Sequence, residues 1–287
     1  MKIKKTVCVF LAALWFIFDF YSGRVNALFG NAHFSIGKKV LEKLDTDISE
    51  GEKKAFLSGI VYADIGRFKF DDETGIASDS NRFVAEMKKF AETKEEKWFV
   101  RGFEIHVFQD GETRKFLEDI LGHKYSSYIT YAVDCGTLDS YFVKESGILY
   151  NDYLGKFNFD QVKAGLDINE FSKKFKTTEE KLKKLAANTL NKCPENLTKV
   201  NLVMYDELIR KTYESLGFDK ISLDDIHDQA GNLLGVTIIV PAFLESKIQV
   251  SEELALKIEQ KSKELADLCI SKLNDIEKKF ESACEET

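Results

Sequence analysis

Residues 94–121, KEEKWFVRGFEIHVFQDGETRKFLEDIL, carry a single repeating pattern that Gly122 brings to an end. Apolar residues recur at intervals of three and four positions, which places them on one face of an α-helix. A glycine directly after such a stretch is a common helix terminator, because it adopts the left-handed backbone conformation without strain. The pattern therefore predicts one long helix from Lys94 to Leu121.

The same spacing extends through most of the chain and predicts a mainly α protein. Prolines, which interrupt helices, number only two in 287 residues. Besides 94–121, the predicted helices cover residues 33–44, 49–65, 79–93, 125–145, 177–191, 197–216 and 251–280. The exception follows Gly231-Asn232, where a largely β-branched run from Leu233 to Val240 predicts a small hairpin or a single strand near 230–244.

Residues 1–27 have the three zones of a secretory signal peptide. Lysines precede the apolar run Thr6–Phe18, and a polar segment ends at Val25-Asn26-Ala27, where the small final residue suits a signal peptidase. The apolar run has 13 residues, whereas a transmembrane helix needs roughly 20. An uncleaved anchor is the less favoured alternative. We therefore expect a secreted or extracytoplasmic helical domain of residues 28–287 that begins at Leu28.

The charge and the cysteines narrow the class of protein further. The chain has a net charge of −7, and removal of the signal peptide, with four basic residues and one acid, makes it −10. An acidic surface repels polyanions, so stable nucleic-acid binding is not expected. Four cysteines remain, at positions 135, 193, 269 and 284, and their wide spacing matches neither a disulfide scaffold nor a redox motif. One or two disulfides remain open.

Two polar residues inside the long predicted helix are candidates for a functional site. His106 and Asp110 lie four positions apart on a helix that is otherwise lined by Phe99 and Phe103. Residues at this spacing share one helix face, so both polar groups would lie among aromatic rings. Buried ionisable groups need partners. The pair therefore either forms a side-chain hydrogen bond or binds a metal ion, and the pair alone does not decide between the two.

Two further residues join this pair. His33 lies five residues after the expected new N-terminus at Leu28 and starts a predicted helix. Asp64 ends the otherwise apolar segment 56–64, where an aspartate is often only a cap or turn residue. A free α-amine and its neighbouring carbonyl can also chelate a metal ion once a signal peptide has been removed. The four positions together favour a metal site over an isolated hydrogen bond.

In this arrangement the chain resembles the zinc-dependent phospholipase C family, which shares its helical fold with the single-strand-specific zinc nucleases. The residues that match the family pattern in order and spacing are Leu28, His33, Asp64, His106 and Asp110. The resemblance implies a multi-helix bundle in which the Leu28 amine and carbonyl, His33 and Asp110 hold one zinc ion. It implies a second zinc ion held by Asp64, His106 and Asp110, so that Asp110 bridges the two.

The sequence departs from the family pattern at a third zinc site. The resemblance covers roughly residues 28–145. The histidine that the family has about fourteen residues after Asp64 falls at Ser78 or Asp79, so Asp79 is the candidate ligand there. Phe116 stands where another histidine is expected. The family's final pair corresponds to Cys135 and Asp139, and a cysteine thiolate is a good zinc ligand. The third site is therefore degraded or rebuilt.

The resemblance implies zinc-dependent hydrolysis of a phosphodiester, with two or three zinc ions in the active protein. A phospholipid head group is the first-choice substrate, with transient contact to a membrane surface. Asp64 would act as a ligand and as a possible general base. Two alternatives remain: a zinc nuclease of the same fold, and an exported helical scaffold that keeps the fold without catalysis. Residues 146–287 lie outside the resemblance, and their role is left open.

Overall fold

The computed structural model describes enough of the chain to test the helix predictions. It describes residues 30–44, 47–64, 75–126, 131, 134–136, 138, 139, 141, 142, 205–218, 221–226 and 250–285, with side chains as far as residue 274. All regular elements within these ranges are helices and none is a strand, which confirms the mainly α fold. The hairpin or strand predicted near 230–244 and the helix predicted at 177–191 lie outside the described residues.

Six helices of more than one turn are described. They are α1 (Gly30–Lys43), α2 (Glu50–Tyr62), α3 (Asn81–Met87), α4 (Lys94–Leu121), α5 (Asp206–Ser215) and α6 (Glu252–Glu285). Shorter helical pieces occur between residues 131 and 142 and at 223–226. Helix α4 has the bounds that the sequence predicts. None of the described helices is both long and apolar enough to cross a lipid bilayer.

The ends of these helices are set by capping residues. Ser49 and Glu52 form a reciprocal capping box at the start of α2, and Thr93 and Glu96 form another at the start of α4. Each such cap satisfies backbone N–H groups that have no partner within the helix and is worth about 1 kcal/mol. Gly122 ends α4 in the left-handed conformation, with φ 75°. The Gly122 terminator therefore acts as the sequence predicts, whereas Thr93 caps α4 and does not end the preceding helix.

Helix α3 is shorter than the helix predicted at 79–93. It ends at Met87, and the N–H groups of Lys89 and Phe90 instead donate to carbonyl oxygens three residues earlier. Such bonds tighten and close a final helical turn. The N-cap at Thr93 also requires an extended backbone, with ψ 163°. The apolar pattern continues through this segment, but the helix does not, because the cap of the following helix needs an extended backbone.

Helices α2 and α4 cross with their backbones in direct contact. A Cβ atom added at Gly59 would lie 1.9 Å from the Phe99 carbonyl oxygen, and one added at Gly102 would lie 1.9 Å from the Phe56 carbonyl oxygen. Any residue other than glycine would therefore force the two helices apart. The crossing brings the carbonyl group of Ile60, the residue after Gly59, against α4.

Helix α4 is the centre of the bundle. It packs against α2, α6, α3 and α1, while α5 packs against α3. Aromatic rings fill the space between α3, α4 and α5, where Phe83 stacks on Phe103 and Tyr205 stacks on Phe99. Each Å² of apolar surface removed from water stabilises the folded state by roughly 25 cal/mol, so the burial of these rings contributes substantially to the free energy of folding. The buried polar residues of α4 lie on its opposite face, towards α1 and α6.

Candidate metal centre

Four of the residues singled out in the sequence meet at one buried point. His33 comes from α1, His106 and Asp110 from α4, and Asp64 from the residues directly after α2. The His33 Nε2 atom lies 2.9 Å from Asp110 Oδ1. The His106 Nε2 atom lies 3.4 Å from Asp110 Oδ2 and 3.5 Å from Asp64 Oδ1. Asp110 therefore contacts one histidine with each of its two oxygens.

The two histidine rings are held side by side. Their centroids are 4.0 Å apart with an interplanar angle of 29°, and both side chains are fully buried. Ligand atoms of His33, His106 and Asp110 all lie within 4.8 Å of one another, which is close enough for one metal ion to contact all three. The imidazole rings thus present the same edge to a shared space.

The opposite edges of the rings have hydrogen-bond acceptors. The Nδ1 atom of His106 lies 2.7 Å from the Ile60 carbonyl oxygen, and the Nδ1 atom of His33 lies 2.5 Å from Gln109 Oε1. A carbonyl oxygen can only accept, so each Nδ1 carries the hydrogen and donates it. In a neutral ring the lone pair is then on Nε2. Histidines that bind metals through Nε2 commonly have this arrangement.

The converging atoms have little other hydrogen bonding. His33 Nε2, His106 Nε2 and Asp110 Oδ1 are buried, and none makes a hydrogen bond to a described residue. The 2.9 Å contact between His33 and Asp110 is an ion-pair distance without hydrogen-bond geometry. Buried polar atoms left in this way carry a free-energy cost of roughly 1–3 kcal/mol each. A cation in the shared space would satisfy all three at once.

The electrostatics of the metal-free cluster centre on His106. Burial disfavours the charged imidazole, but the carboxylates of Asp110 and Asp64 outweigh it and raise the pKa of His106 to about 10. Burial raises the pKa of Asp110, whereas His106 and His33 together lower it well below its ordinary value. A proton on His106 therefore offsets one of the two carboxylate charges, whereas a divalent metal ion would offset both. A metal ion must displace that proton.

Asp139 packs against the first turn of α1 and is not among the converging ligand atoms. It is fully buried, and its oxygens accept hydrogen bonds from Asn31 Nδ2 at 2.6 Å and from the Ala32 N–H at 2.8 Å. Burial raises the pKa of Asp139 to about 7. The hydrogen bonds from Asn31 and Ala32 lower this pKa, and the negative charge of Asp64 raises it further. The prediction that Asp139 binds a metal remains a prediction; the contacts in the structure make it an anchor for the residues that precede His33.

Cys135 is a buried free thiol in the same region. Burial raises the pKa of Cys135 above its ordinary value, and the charges of Asp134, Asp139 and Asp110 act in the same direction. The thiol is thus near the cluster but is not in a disulfide. A nearby metal ion would be needed to stabilise its thiolate form. Its predicted role as a metal ligand stays untested.

The remaining predicted positions lie apart from the cluster or outside the description. Asp79 is half-buried and is not part of the group of ligand atoms that converge among the described residues. Its neighbour Ser78 is buried and donates to the Ala63 carbonyl oxygen at 2.7 Å. Phe116 is packed in the core. Leu28 lies outside the described residues.

Sequence reasoning missed the outer partners of the two histidines. Gln109 and Thr113 are fully buried, and with His106 and Asp110 they form a polar stripe at intervals of three and four positions along α4. That stripe was a usable signal, because polar residues rarely occupy a buried helix face unless they have hydrogen-bond partners or a ligand there. The role of the Ile60 carbonyl had no such signal, since it depends on the approach of α2 to α4.

Comparison of the chain with protein-family models, with curated proteins and with solved structures finds no significant match. The resemblance to the zinc-dependent phospholipase C family therefore rests on a few residues and their spacing.

Proposed function

We propose that this protein is an exported zinc-dependent phosphodiester hydrolase of the phospholipase C type. The observation that supports it is the convergence of His33 Nε2, His106 Nε2 and both oxygens of Asp110 on one buried space. Both histidines also donate from Nδ1 to fixed carbonyl oxygens. This is the orientation in which imidazole binds a metal ion through Nε2.

The donor set fits zinc. Histidine nitrogens and carboxylate oxygens are its usual protein ligands, and a catalytic site keeps a position open beyond three of them. In the proposal Asp64, His106 and Asp110 hold one ion. His33 and Asp110 hold the other, which the amine and carbonyl of Leu28 complete after signal cleavage. Two ions per chain are thus proposed, while Cys135, Asp139 and Asp79 are left as candidates for a third.

Zinc in this position would supply a water of lowered pKa and polarise a phosphodiester oxygen. Asp110 is the residue that holds the centre together, because its two oxygens contact the two histidines separately. Its side chain is 12% exposed, which makes Asp110 the least buried of the four residues, although its Oδ1 atom is buried. Asp64 lies against His106 at the same cluster and is the proposed general base, accepting a proton on its carboxylate.

A phospholipid head group is the proposed substrate, with transient contact to a membrane surface. The expected net charge of −10 after signal cleavage opposes the approach of a polynucleotide, which carries one charge per phosphate. A single zwitterionic head group meets much less repulsion. For the same reason, the zinc nuclease is a weaker candidate than the phospholipase.

An exported scaffold without catalysis is the second candidate, and two observations favour it. Protonated His106 between Asp64 and Asp110 offsets one of the two carboxylate charges of the cluster without a metal ion. Phe116 and Ser78, at positions where the family has histidines, are buried in structural roles. A scaffold of this kind would bind one zinc ion or none.

Zinc content separates the two candidates. We expect about two zinc ions per chain in protein purified after export, because two sites share Asp110. Removal of zinc by a chelator should lower the melting temperature by roughly 10 °C, since ligand at a thousand times its Kd stabilises by about 4 kcal/mol. The measurements are elemental analysis and a thermal melt before and after chelation.

Activity is measured on the same samples. The zinc-loaded protein should hydrolyse p-nitrophenyl phosphorylcholine faster than single-stranded DNA, and activity should return when zinc is added back. Magnesium serves as the control cation, because it prefers oxygen ligands and should not restore activity. A chain that contains no zinc and melts at the same temperature after chelation would exclude the zinc hydrolase and favour the exported scaffold.

A further inference from the structure

We infer that Gln109 is a positioning residue that fixes the tautomer of His33 and links the metal centre to the C-terminal helix α6 through Cys269. The inference rests on the proposed metal site and adds to it a residue that binds no metal. Gln109 lies outside the set of ligands that the sequence suggests. Its side chain is fully buried between α1 and α6.

The contacts of the Gln109 amide determine which end faces His33. Its Nε2 atom lies 3.8 Å from Cys269 Sγ, and its Oε1 atom lies 2.5 Å from His33 Nδ1. An amide nitrogen only donates and an amide oxygen only accepts, and a thiol is both a weak donor and a weak acceptor; in the structure the amide nitrogen donates to the sulfur. With the nitrogen towards the sulfur, the oxygen is left for His33. His33 must therefore donate from Nδ1.

This choice of tautomer decides whether His33 can be a ligand. With the hydrogen on Nδ1, the Nε2 lone pair faces the space shared with Asp110 and His106. With the amide reversed, its nitrogen would face Nδ1, and the ring hydrogen would move to Nε2. Nε2 would then donate to Asp110, and the pair would form an ordinary hydrogen bond. The orientation of Gln109 selects between these two states.

Cys269 is the partner of the amide nitrogen in the first orientation. It is fully buried on α6, and burial raises the pKa of Cys269 to about 12, so the sulfur stays a neutral thiol. Three helices are thereby connected in series: α6 orients a side chain on α4, which orients a ring on α1. This gives the C-terminal helix, which lies beyond the resembling segment 28–145, a part in metal binding.

Two substitutions test the role of Gln109 against a purely structural one. Gln109→Leu keeps the bulk but removes the acceptor, so His33 should populate both tautomers and zinc affinity should fall about 10- to 100-fold. Gln109→Glu retains an acceptor for Nδ1, so the tautomer should be kept and zinc affinity should stay within about threefold of that of the unaltered chain. If Gln109 only filled space, the added buried carboxyl group would do as much harm as leucine or more.

The readouts do not depend on turnover. The tautomer is read from ¹⁵N NMR shifts of the imidazole ring in metal-free protein, and affinity from zinc titration and the visible spectrum of the cobalt-loaded chain. Gln260→Leu is the matched control, because Gln260 is exposed on α6 and donates to Glu264 one turn further along the same helix. Cys269→Ala is a second variant, which should loosen the amide and weaken zinc binding in the same direction by a smaller factor.

The outcomes separate the two proposals. If the unaltered chain takes up neither zinc nor cobalt, the proposed function fails, and the NMR tautomer still reports on Gln109. If the chain binds zinc but Gln109→Leu matches Gln260→Leu in tautomer and affinity, the positioning role is overturned. Should Gln109→Leu fail to fold, Gln109→Glu and Cys269→Ala decide: equal, large losses of affinity in both would also overturn it.

Discussion

Replacing Asp110 with asparagine should remove about two zinc ions per chain and abolish phosphodiester hydrolysis while the helical content stays the same. The two carboxylate oxygens contact different histidines, His33 at 2.9 Å and His106 at 3.4 Å. Asparagine keeps the size of the side chain but has no negative charge and only one oxygen. Loss of an outer partner alone costs about 10- to 100-fold in metal affinity. Loss of a bridging ligand should cost more.

Two control variants show whether the effect comes from bridging. His33→Ala removes a ligand of one ion only, so it should empty mainly one site. Asp119→Asn makes the same chemical change on the same helix at a side chain that is 44% exposed; it removes only a 3.8 Å ion pair with Lys261, so zinc content and helical content should stay unchanged. Elemental analysis and circular dichroism on the three variants are sufficient. If Asp110→Asn keeps its zinc and its activity, His106 and Asp110 are an ordinary buried pair and the exported scaffold is the better description.

The helix at the centre of the bundle could be predicted from the sequence because all of its signals are local. The apolar period and Gly122 predict the bounds of α4, and in the structure Thr93 caps its start. Helix α3 could not be bounded in the same way, since its apolar pattern runs on to Phe90 and the competing cap belongs to the next helix. Local patterns predict an element well only where neighbouring elements do not compete for the same residues.

The candidate ligands could be found from residue type and spacing, but their surroundings could not. His33, Asp64, His106 and Asp110 were predicted, and the structure brings them together. Gln109 faces two other helices, so its role depends on contacts with residues 76 positions before it and 160 positions after it. The polar stripe on α4 could have shown that Gln109 is buried, but the period of a single helix does not show which distant residues it contacts.

The crossing of α2 and α4 couples fold stability to the site. Gly102→Ala should lower the free energy of unfolding by about 3 kcal/mol, because the new Cβ would overlap the Phe56 carbonyl oxygen at 1.9 Å. The melting temperature should fall by roughly 6–12 °C. Phe56 lies one helical turn before Ile60, so separating the helices should also lengthen the 2.7 Å bond from His106 Nδ1 and weaken zinc binding.

Gly111→Ala on the same helix is the matched control for this prediction. A Cβ added at Gly111 has no atom within 4 Å, and alanine is the better helix former by up to about 1 kcal/mol. The control should therefore melt at the same temperature as the unaltered chain or slightly above it, with its zinc affinity unchanged. Thermal melts and zinc titrations of the two variants give the comparison. Equal melting temperatures would mean that α2 and α4 do not touch at Gly102. A lower melting temperature with full zinc affinity would mean that the Ile60 carbonyl does not orient His106.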